Sequence, residues 1–249
     1  MPRKRSLLIA APIAAVALSL TVAGYQAAAA GSSPSGGADR AASMAAKATG
    51  PCLAGATTLV GDLDGDGRPD KITNPGHTGT KMTIQWGTAD GSFGTKHTVR
   101  KLLGAKTGEV ASAAVADFQK DGTLDMVVNI VKPSGIDDPS TARVAEYRPG
   151  PLKRANLSSA HSRHSDIGDH GEVQQLRIAN YGGDAYPDLA ILNNNGDGQL
   201  DRDVRLSQRD NGPGDFDYEL KMKYGAFGST GEPPSMPSNG WAKFYKPCS

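Results

Sequence analysis

The sequence predicts an all-β domain built from three repeated units. Short apolar runs, such as 81–86, 126–131 and 189–192, are bounded by Gly, Asp, Asn or Pro, which is the pattern of strands joined by turns. Beyond the N-terminal segment, no window of a dozen residues carries a convincing helical pattern, although 110–116 briefly resembles one. The acidic residues are 21 Asp and only five Glu. Since Asp favours turns and oxygen-ligand sites, the loops are expected to carry the chemistry.

The first thirty residues have the composition of a secretory signal peptide. Basic residues at 3–5 precede an apolar run over 7–22, and a tract of small residues follows at 27–30. A retained membrane anchor is the alternative, but a run interrupted by Pro12 is short of the roughly 20 residues that a spanning helix needs. We therefore expect a signal peptide at 1–30, a secreted mature protein and no membrane insertion after cleavage.

The mature chain is nearly neutral. Removing the signal takes away 3 of the 27 basic residues and leaves 24 against 26 acidic ones. Such a balance offers no electrostatic footprint for nucleic acid or for an anionic membrane surface, so neither is expected as a partner. Residues 31–50 are small and polar and predict a flexible linker to a β domain at 51–249.

Cys52 and Cys248 stand at the two edges of the predicted domain. An even pair in an exported protein predicts a disulfide, and two free buried thiols are the alternative. The aromatic segment 240–247 precedes the second cysteine. A crosslink would hold this segment beside the first unit, either as a covering strand or as a clasp that orders no strand.

Three segments align without gaps and define the repeat. They read DLDGDGRPD at 62–70, DFQKDGTLD at 117–125 and NYGGDAYPD at 180–188. Each has an apolar second residue and a β-branched residue two positions before its first, so the register is structural. The units are expected at about 56–107, 108–170 and 171–225, followed by a covering tail at 226–249.

The first segment has the ligand pattern of a calcium loop. Calcium takes six to eight oxygen ligands, which a short loop supplies from alternate positions. Here Asp62, Asp64, Asp66 and Asp70 hold positions 1, 3, 5 and 9, and the carbonyl of Arg68 holds position 7. A metal-free Asp-Gly turn is the alternative, but four carboxylates within nine residues repel one another without a cation.

The other two segments keep fewer ligands. In the second, an amide stands at position 3 and Lys120 adds an opposing charge. In the third, Gly182 offers no side-chain ligand and Ala185 replaces the bend glycine, so a weak site and a metal-free turn both remain open. The candidate ligands are Asp117, Gln119, Asp121 and Asp125 in the second loop, and Asn180, Asp184 and Asp188 in the third.

A fourth stretch at 193–201 has the same spacing but does not belong to the repeat. It follows the third loop after only 13 residues, so it is interpreted as a strand-to-strand loop that can hold an ion. Its further candidate ligands are Asn193, Asn195, Asp197 and Asp201.

The pattern D-x-[DN]-x-D-G-x-x-D, set between short strands and repeated, resembles the FG-GAP repeat, also described as the VCBS repeat, of integrin-α-like β-propellers. The resemblance covers about 56–223 and implies four-stranded antiparallel blades with calcium loops on one face. Segments 87–93 and 210–216 look like the Gly-Phe turn of the family, which the second unit lacks. Propellers have four to eight blades, so three units depart from the family's pattern and are expected to form a β-propeller-like array that need not close into a ring.

No catalytic motif accompanies these loops. The sequence contains no G-x-S-x-G elbow, H-E-x-x-H helix, P-loop or dinucleotide turn. His161, His164 and His170 could ligate a metal, but a solvated connecting loop is the simpler interpretation. We therefore expect a calcium-binding recognition or adhesion module for glycan, cell-wall or protein ligands and not an enzyme. The alternative is an accessory or degenerate domain of a secreted carbohydrate-active enzyme.

Overall fold

The computed structural model describes residues 50–135, 138–238 and 240–249. The expected signal peptide and the expected linker, apart from Gly50, lie outside these residues. No helix within the described residues is long and apolar enough to cross a membrane.

The first sheet contains five antiparallel strands in sequential order. A 3-10 helix at Pro75–His77 connects its third and fourth strands, and helix α1 at Val99–Leu102 follows the fifth. The strands are β1 (Cys52–Gly55), β2 (Thr58–Gly61), β3 (Asp70–Thr73), β4 (Thr83–Gly87) and β5 (Phe93–Thr98).

The second sheet contains four antiparallel strands, again in sequential order. The apolar run at 110–116 is a strand, because it pairs with the next strand in continuous register from Val110 opposite Val131 to Ala116 opposite Asp125. The strands are β6 (Val110–Ala116), β7 (Asp125–Val131), β8 (Val144–Arg148) and β9 (Arg163–His164).

The third sheet has the order β10-β11-β12-β15. A two-stranded hairpin and helix α2 (Tyr218–Tyr224) are inserted before the last strand, which pairs with β12. The expected unit boundary at 225 is therefore too early, since the sheet continues to Ser229. The strands are β10 (Glu172–Ala179), β11 (Asp188–Gly196), β12 (Gln199–Arg205) and β15 (Ala226–Ser229), with β13 (Ser207–Gln208) and β14 (Gly212–Pro213) in the hairpin.

Segment 161–170 is more ordered than a solvated connection. Its residues 163–164 form β9 at the edge of the second sheet, and a 3-10 helix follows at Asp166–Gly168. Ile167 is fully buried in the core, and Asp166 accepts a hydrogen bond from the buried Arg205 over 3.0 Å. The segment thus joins the second and third sheets.

A connection from the first sheet lies between β6 of the second sheet and β10 of the third. Ala113 of β6 donates its N–H to the carbonyl of Gly79 over 3.1 Å, and Leu176 of β10 donates to the carbonyl of Thr78 over 3.3 Å. Gly79 has a φ of +79°, and a Cβ there would lie 2.4 Å from the carbonyl oxygen of Ala113. All three sheets therefore meet at a position that only glycine fits.

The C-terminal segment lies across the sheets and ends in the expected disulfide. Helix α3 (Trp241–Phe244) places the Trp241 indole N–H 2.7 Å from the carbonyl oxygen of Val115. Farther along, Leu53 donates its N–H to Lys246 and accepts one from Cys248, at 2.8 and 2.9 Å. Cys52 and Cys248 are bonded, with their Cα atoms 5.0 Å apart. The expected covering strand is reduced to one parallel bridge, because a helix occupies the start of the segment.

We predict that replacing both Cys52 and Cys248 with Ser lowers the free energy of unfolding by about 3–5 kcal/mol, because the bond closes a loop spanning 196 residues in the unfolded chain. Thermal melts should show a midpoint lower by about 10 °C. Reduced wild-type protein serves as the control and should melt like the variant. Equal midpoints for the oxidised wild type and the variant would contradict the prediction.

A second prediction concerns the junction of the sheets. Gly79→Ala should destabilise the protein by about 3 kcal/mol, because it adds both a steric clash and a left-handed alanine. Gly104→Ala is the matched control: its φ is +64°, yet nothing lies within 4 Å of the added Cβ. Its cost should stay near 1 kcal/mol. Chemical denaturation of both variants measures the loss in free energy of unfolding. Equal losses for the two variants would contradict the steric role of Gly79 at the junction.

Candidate metal centre

The ninth residue of each repeated loop has the same structural role. These residues are Asp70, Asp125 and Asp188. One carboxylate oxygen accepts the backbone N–H of the second loop residue, over 2.9, 2.9 and 2.6 Å respectively. The other oxygen accepts an N–H near the end of β4, β8 or β12, over 2.8, 2.9 and 3.0 Å. The donors, in chain order, are Leu63 and Gly87, Phe118 and Gly150, and Tyr181 and Ser207.

Burial makes these carboxylates costly to ionise. It raises the pKa of Asp70 and of Asp125 to about 7, because loss of water outweighs the hydrogen bonds that favour the charged form. It also raises the pKa of Asp188. A positive charge close to any of them would relieve this cost.

The fourth and fifth positions also repeat their backbone geometry. The fourth residues, Gly65, Lys120 and Gly183, have φ values of +76°, +60° and +70°. The fifth residues, Asp66, Asp121 and Asp184, each accept the N–H of the seventh, over 2.9, 2.8 and 2.8 Å. The left-handed fourth position was not expected, because sequence reasoning assigned the bend to the sixth position only.

In the first loop, three of the four expected carboxylates converge. Asp62, Asp64 and Asp70 each offer one oxygen, and these oxygens all lie within 4.8 Å of one another. Asp66 does not join them, since its Oδ2 lies 2.5 Å from the Arg154 guanidinium and 3.3 Å from that of Arg68. In the part of the chain that the structure describes, this is the only cluster of three or more acidic, His or Cys ligands.

Arg154 is the residue that sequence reasoning missed. It lies in the connection after β8, in the second sheet, and its Nε donates a hydrogen bond to Asp64. The same connection donates the Leu152 N–H to the carbonyl of Leu63 over 2.8 Å. A Cβ on Gly65 would lie 2.6 Å from the Cβ of Pro151, so the connection packs directly on the loop. No local sequence pattern predicts a contact between residues about ninety positions apart.

The second and third loops do not assemble three carboxylates. Gln119, the expected third ligand of the second loop, turns toward the third sheet and donates its amide to the carbonyl of Asp210 over 2.6 Å. Asp117 accepts the N–H groups of Asp121 and Gly122, both over 3.0 Å, much as Asp62 accepts those of Gly65 and Gly67 in the first loop. In the third loop, Asn180 accepts the N–H of Gly183 over 2.8 Å and completes a turn.

The fourth candidate stretch joins two strands and forms a tight hairpin. Asn193 and Asp201 stand opposite each other on β11 and β12, and Asp197, with a φ of +51°, occupies the tight turn. The Lys221 ammonium lies 2.7 Å from Asp201 and 3.0 Å from Asp203. Asn195 donates its amide to Asp201 over 2.5 Å. A lysine therefore pairs with these acids, and ion binding at 193–201 stays a prediction.

The histidines face separate acids. The Nε2 atom of His164 lies 3.1 Å from Asp169, and that of His170 lies 3.8 Å from Asp166. The ring of His170 also stacks on Phe216, with centroids 4.3 Å apart. Within the described residues, no metal-ligand cluster contains a histidine.

Residues 62–128 match the family model of the FG-GAP-like repeat. This segment is an FG-GAP-like repeat. The match begins at the first residue of the first loop and runs through the second loop into β7, so it spans one full period. No match was found among curated proteins or among solved structures.

The two loops within the matched segment are held in the same way. Its first loop ends at β3 and its second at β7, and in both the ninth residue ties the loop to the chain at the end of the neighbouring strand, β4 or β8. The backbone N–H of Leu124 also donates to the carbonyl of Asp62 over 3.0 Å, which joins the second loop to the first. The acidic cluster therefore lies at the junction of two sheets.

We predict an unusual pH dependence for metal-free protein. Asp70 and Asp125 have folded-state pKa values of about 7 against 3.8 for the ordinary group. Between about pH 4 and pH 7 the folded state therefore binds more protons, so these groups make stability fall as pH rises. His77, whose pKa burial lowers from the ordinary value of 6.5, acts in the opposite direction just below pH 6.5.

Melts in chelator and in calcium across this pH range test the prediction. Any gain in melting temperature from calcium should grow as pH rises, because a cation at the loop would bind the deprotonated carboxylates. A gain that is constant with pH, or that shrinks, would contradict it.

Proposed function

We propose that this protein is a secreted calcium-binding module that recognises a glycan, cell-wall or protein ligand outside the cell and has no catalytic activity of its own. The observation that carries the proposal is the convergence of Asp62, Asp64 and Asp70 in the first loop of the FG-GAP-like repeat. Export is supported by the signal-like N-terminal sequence and by the disulfide between Cys52 and Cys248.

The residues at this site suit calcium. Carboxylate oxygens are the hard ligands that calcium prefers, and three of them already lie close together. Asp66 and the carbonyl of Arg68 are the further groups that the loop offers. Bound calcium would supply the positive charge that the buried Asp70 carboxylate lacks.

Calcium at this position would strengthen the contact between two sheets. The carbonyl groups of Asp62 and Leu63 accept N–H groups from the second sheet, so an ordered first loop fixes the orientation of both. Metal bound only by the folded state stabilises it by mass action. We infer that calcium keeps the recognition surface rigid and that the ligand binds elsewhere on the sheets or loops.

We predict that saturating calcium raises the melting temperature by about 5–10 °C relative to chelator, the effect of a ligand at about one hundred times its Kd. Asp64→Ala should remove most of the increase. Asp215→Ala is the control, because Asp215 is an exposed acid outside the loops with no hydrogen bond or ion pair among the described residues. Identical melting in calcium and chelator, with protein shown to be metal-free, would overturn the calcium assignment.

The ligand class is tested separately. The mature domain, probed on an array of cell-wall and plant glycans, should retain bound glycan without cleaving it, and chelator should weaken retention. Calcium-dependent release of sugar products would overturn the assignment as a non-enzyme and support the carbohydrate-active alternative. Absence of retained glycan would direct the search to protein ligands.

A further inference from the structure

We propose that Arg154 is a built-in counter-cation of the first loop, and that Arg154 and calcium compete for the carboxylates of Asp64 and Asp66. The inference rests on the calcium site proposed above. It makes metal occupancy of the first sheet depend on the position of a connection in the second.

The contacts place one guanidinium across two expected metal ligands. Nε of Arg154 donates to Oδ2 of Asp64, and its terminal nitrogen lies 2.5 Å from Oδ2 of Asp66. The Asp64 side chain is only 6% exposed, whereas that of Arg154 is 41% exposed. The pair is therefore strong enough to hold the arginine, yet the arginine can leave into solvent without crossing the core.

Arg154 accounts for the outward position of Asp66. The four acids of the loop sit at spacings that would direct four carboxylates at one ion, but only three converge. The fourth is paired with Arg154 and more loosely with Arg68. For Asp66 to turn its Oδ2 toward the cluster, the bond from that oxygen to Arg154 must break.

The neighbouring loop shows that this contact is particular to the first. The second loop is approached by the corresponding connection of the third sheet, which follows β12. That connection presents the carbonyl of Asp210, a neutral group, to Gln119. At the first loop, the connection presents a permanent positive charge. A cation placed where calcium must bind both compensates the acids in its absence and opposes its entry.

The same guanidinium also lies close to an aromatic ring and a backbone carbonyl. Its Cζ atom is 5.5 Å from the centre of the Trp86 ring, and its terminal nitrogen is 3.5 Å from the carbonyl oxygen of Gly87. A guanidinium released from the acids can stay stacked on this ring, which lowers the cost of its displacement. Because coupling between two binding events is reciprocal, the Arg154 contact weakens calcium binding by the same factor by which calcium weakens that contact. Removal of Arg154 should therefore tighten calcium binding.

The test compares Arg154→Gln with Lys153→Gln. Both remove one positive charge from the same connection, but the Lys153 side chain makes no ion pair within the described residues. Calcium titration calorimetry should show Arg154→Gln binding about tenfold more tightly than wild type, the size of one charge-assisted contact. Lys153→Gln should stay within about twofold. Arg154→Lys keeps the charge but loses the two-pronged guanidinium contact, so its calcium affinity should fall between those of wild type and Arg154→Gln.

Melting in chelator supplies a second, metal-free readout. Arg154→Gln should melt several degrees below wild type there, because Asp64 and Asp66 lose their counter-charge, and in calcium the gap should close. Lys153→Gln should melt like wild type in both conditions.

The outcomes separate the two proposals. Calcium binding that is equal in wild type and Arg154→Gln leaves the calcium site standing and overturns the competition. Binding by Arg154→Gln alone supports Arg154 as the opposing cation and removes calcium from the native function. If neither binds, the calcium site fails, and the chelator melts decide: a drop confined to Arg154→Gln supports the counter-cation, and no drop overturns it.

Discussion

The rest of the structure depends on a single carboxylate position in each loop. The ninth residue joins the start of its loop to the end of the neighbouring strand in the same sheet, with one oxygen for each N–H. It therefore sets the loop, the strand that follows and the strand beyond in one arrangement. A buried carboxylate is an expensive way to do this. The carboxylate offsets this cost by accepting hydrogen bonds from two backbone N–H groups that would otherwise lack a partner.

The second constraint is how one sheet meets the next. In two consecutive junctions, the connection after the third strand of the repeat unit packs on the loop of the unit before it, through Arg154 on the first loop and Asp210 on the second. The same architecture thus delivers different chemistry. Charge placed by one unit adjusts the loop of its neighbour, so the acidity of a loop does not by itself define its affinity for a cation.

The sequence pattern predicted the features that depend on interactions between residues close in the chain. The all-β class, the register of the three loops and the strands at 126–131 and 189–192 follow from alternation and turn residues. The sequence also predicted the acids of the first loop. It could not predict Arg154 or the Lys221 ammonium at Asp201, because both contacts are made by distant segments. The stretch at 193–201 was expected to join two strands, and it does so as a hairpin.

The connection at Thr78 and Gly79 makes the first unit different from the other two, because it contacts both of them. In a stacked array each repeat touches only its neighbours, so duplication or deletion of one unit leaves a working surface for the next. Here a segment of the first unit bonds to both the second and the third. A duplicated unit inserted between them would have to part β6 from β10 and strand those carbonyls. Insertion of a unit at that point should therefore cost more stability than lengthening a connection elsewhere in the protein.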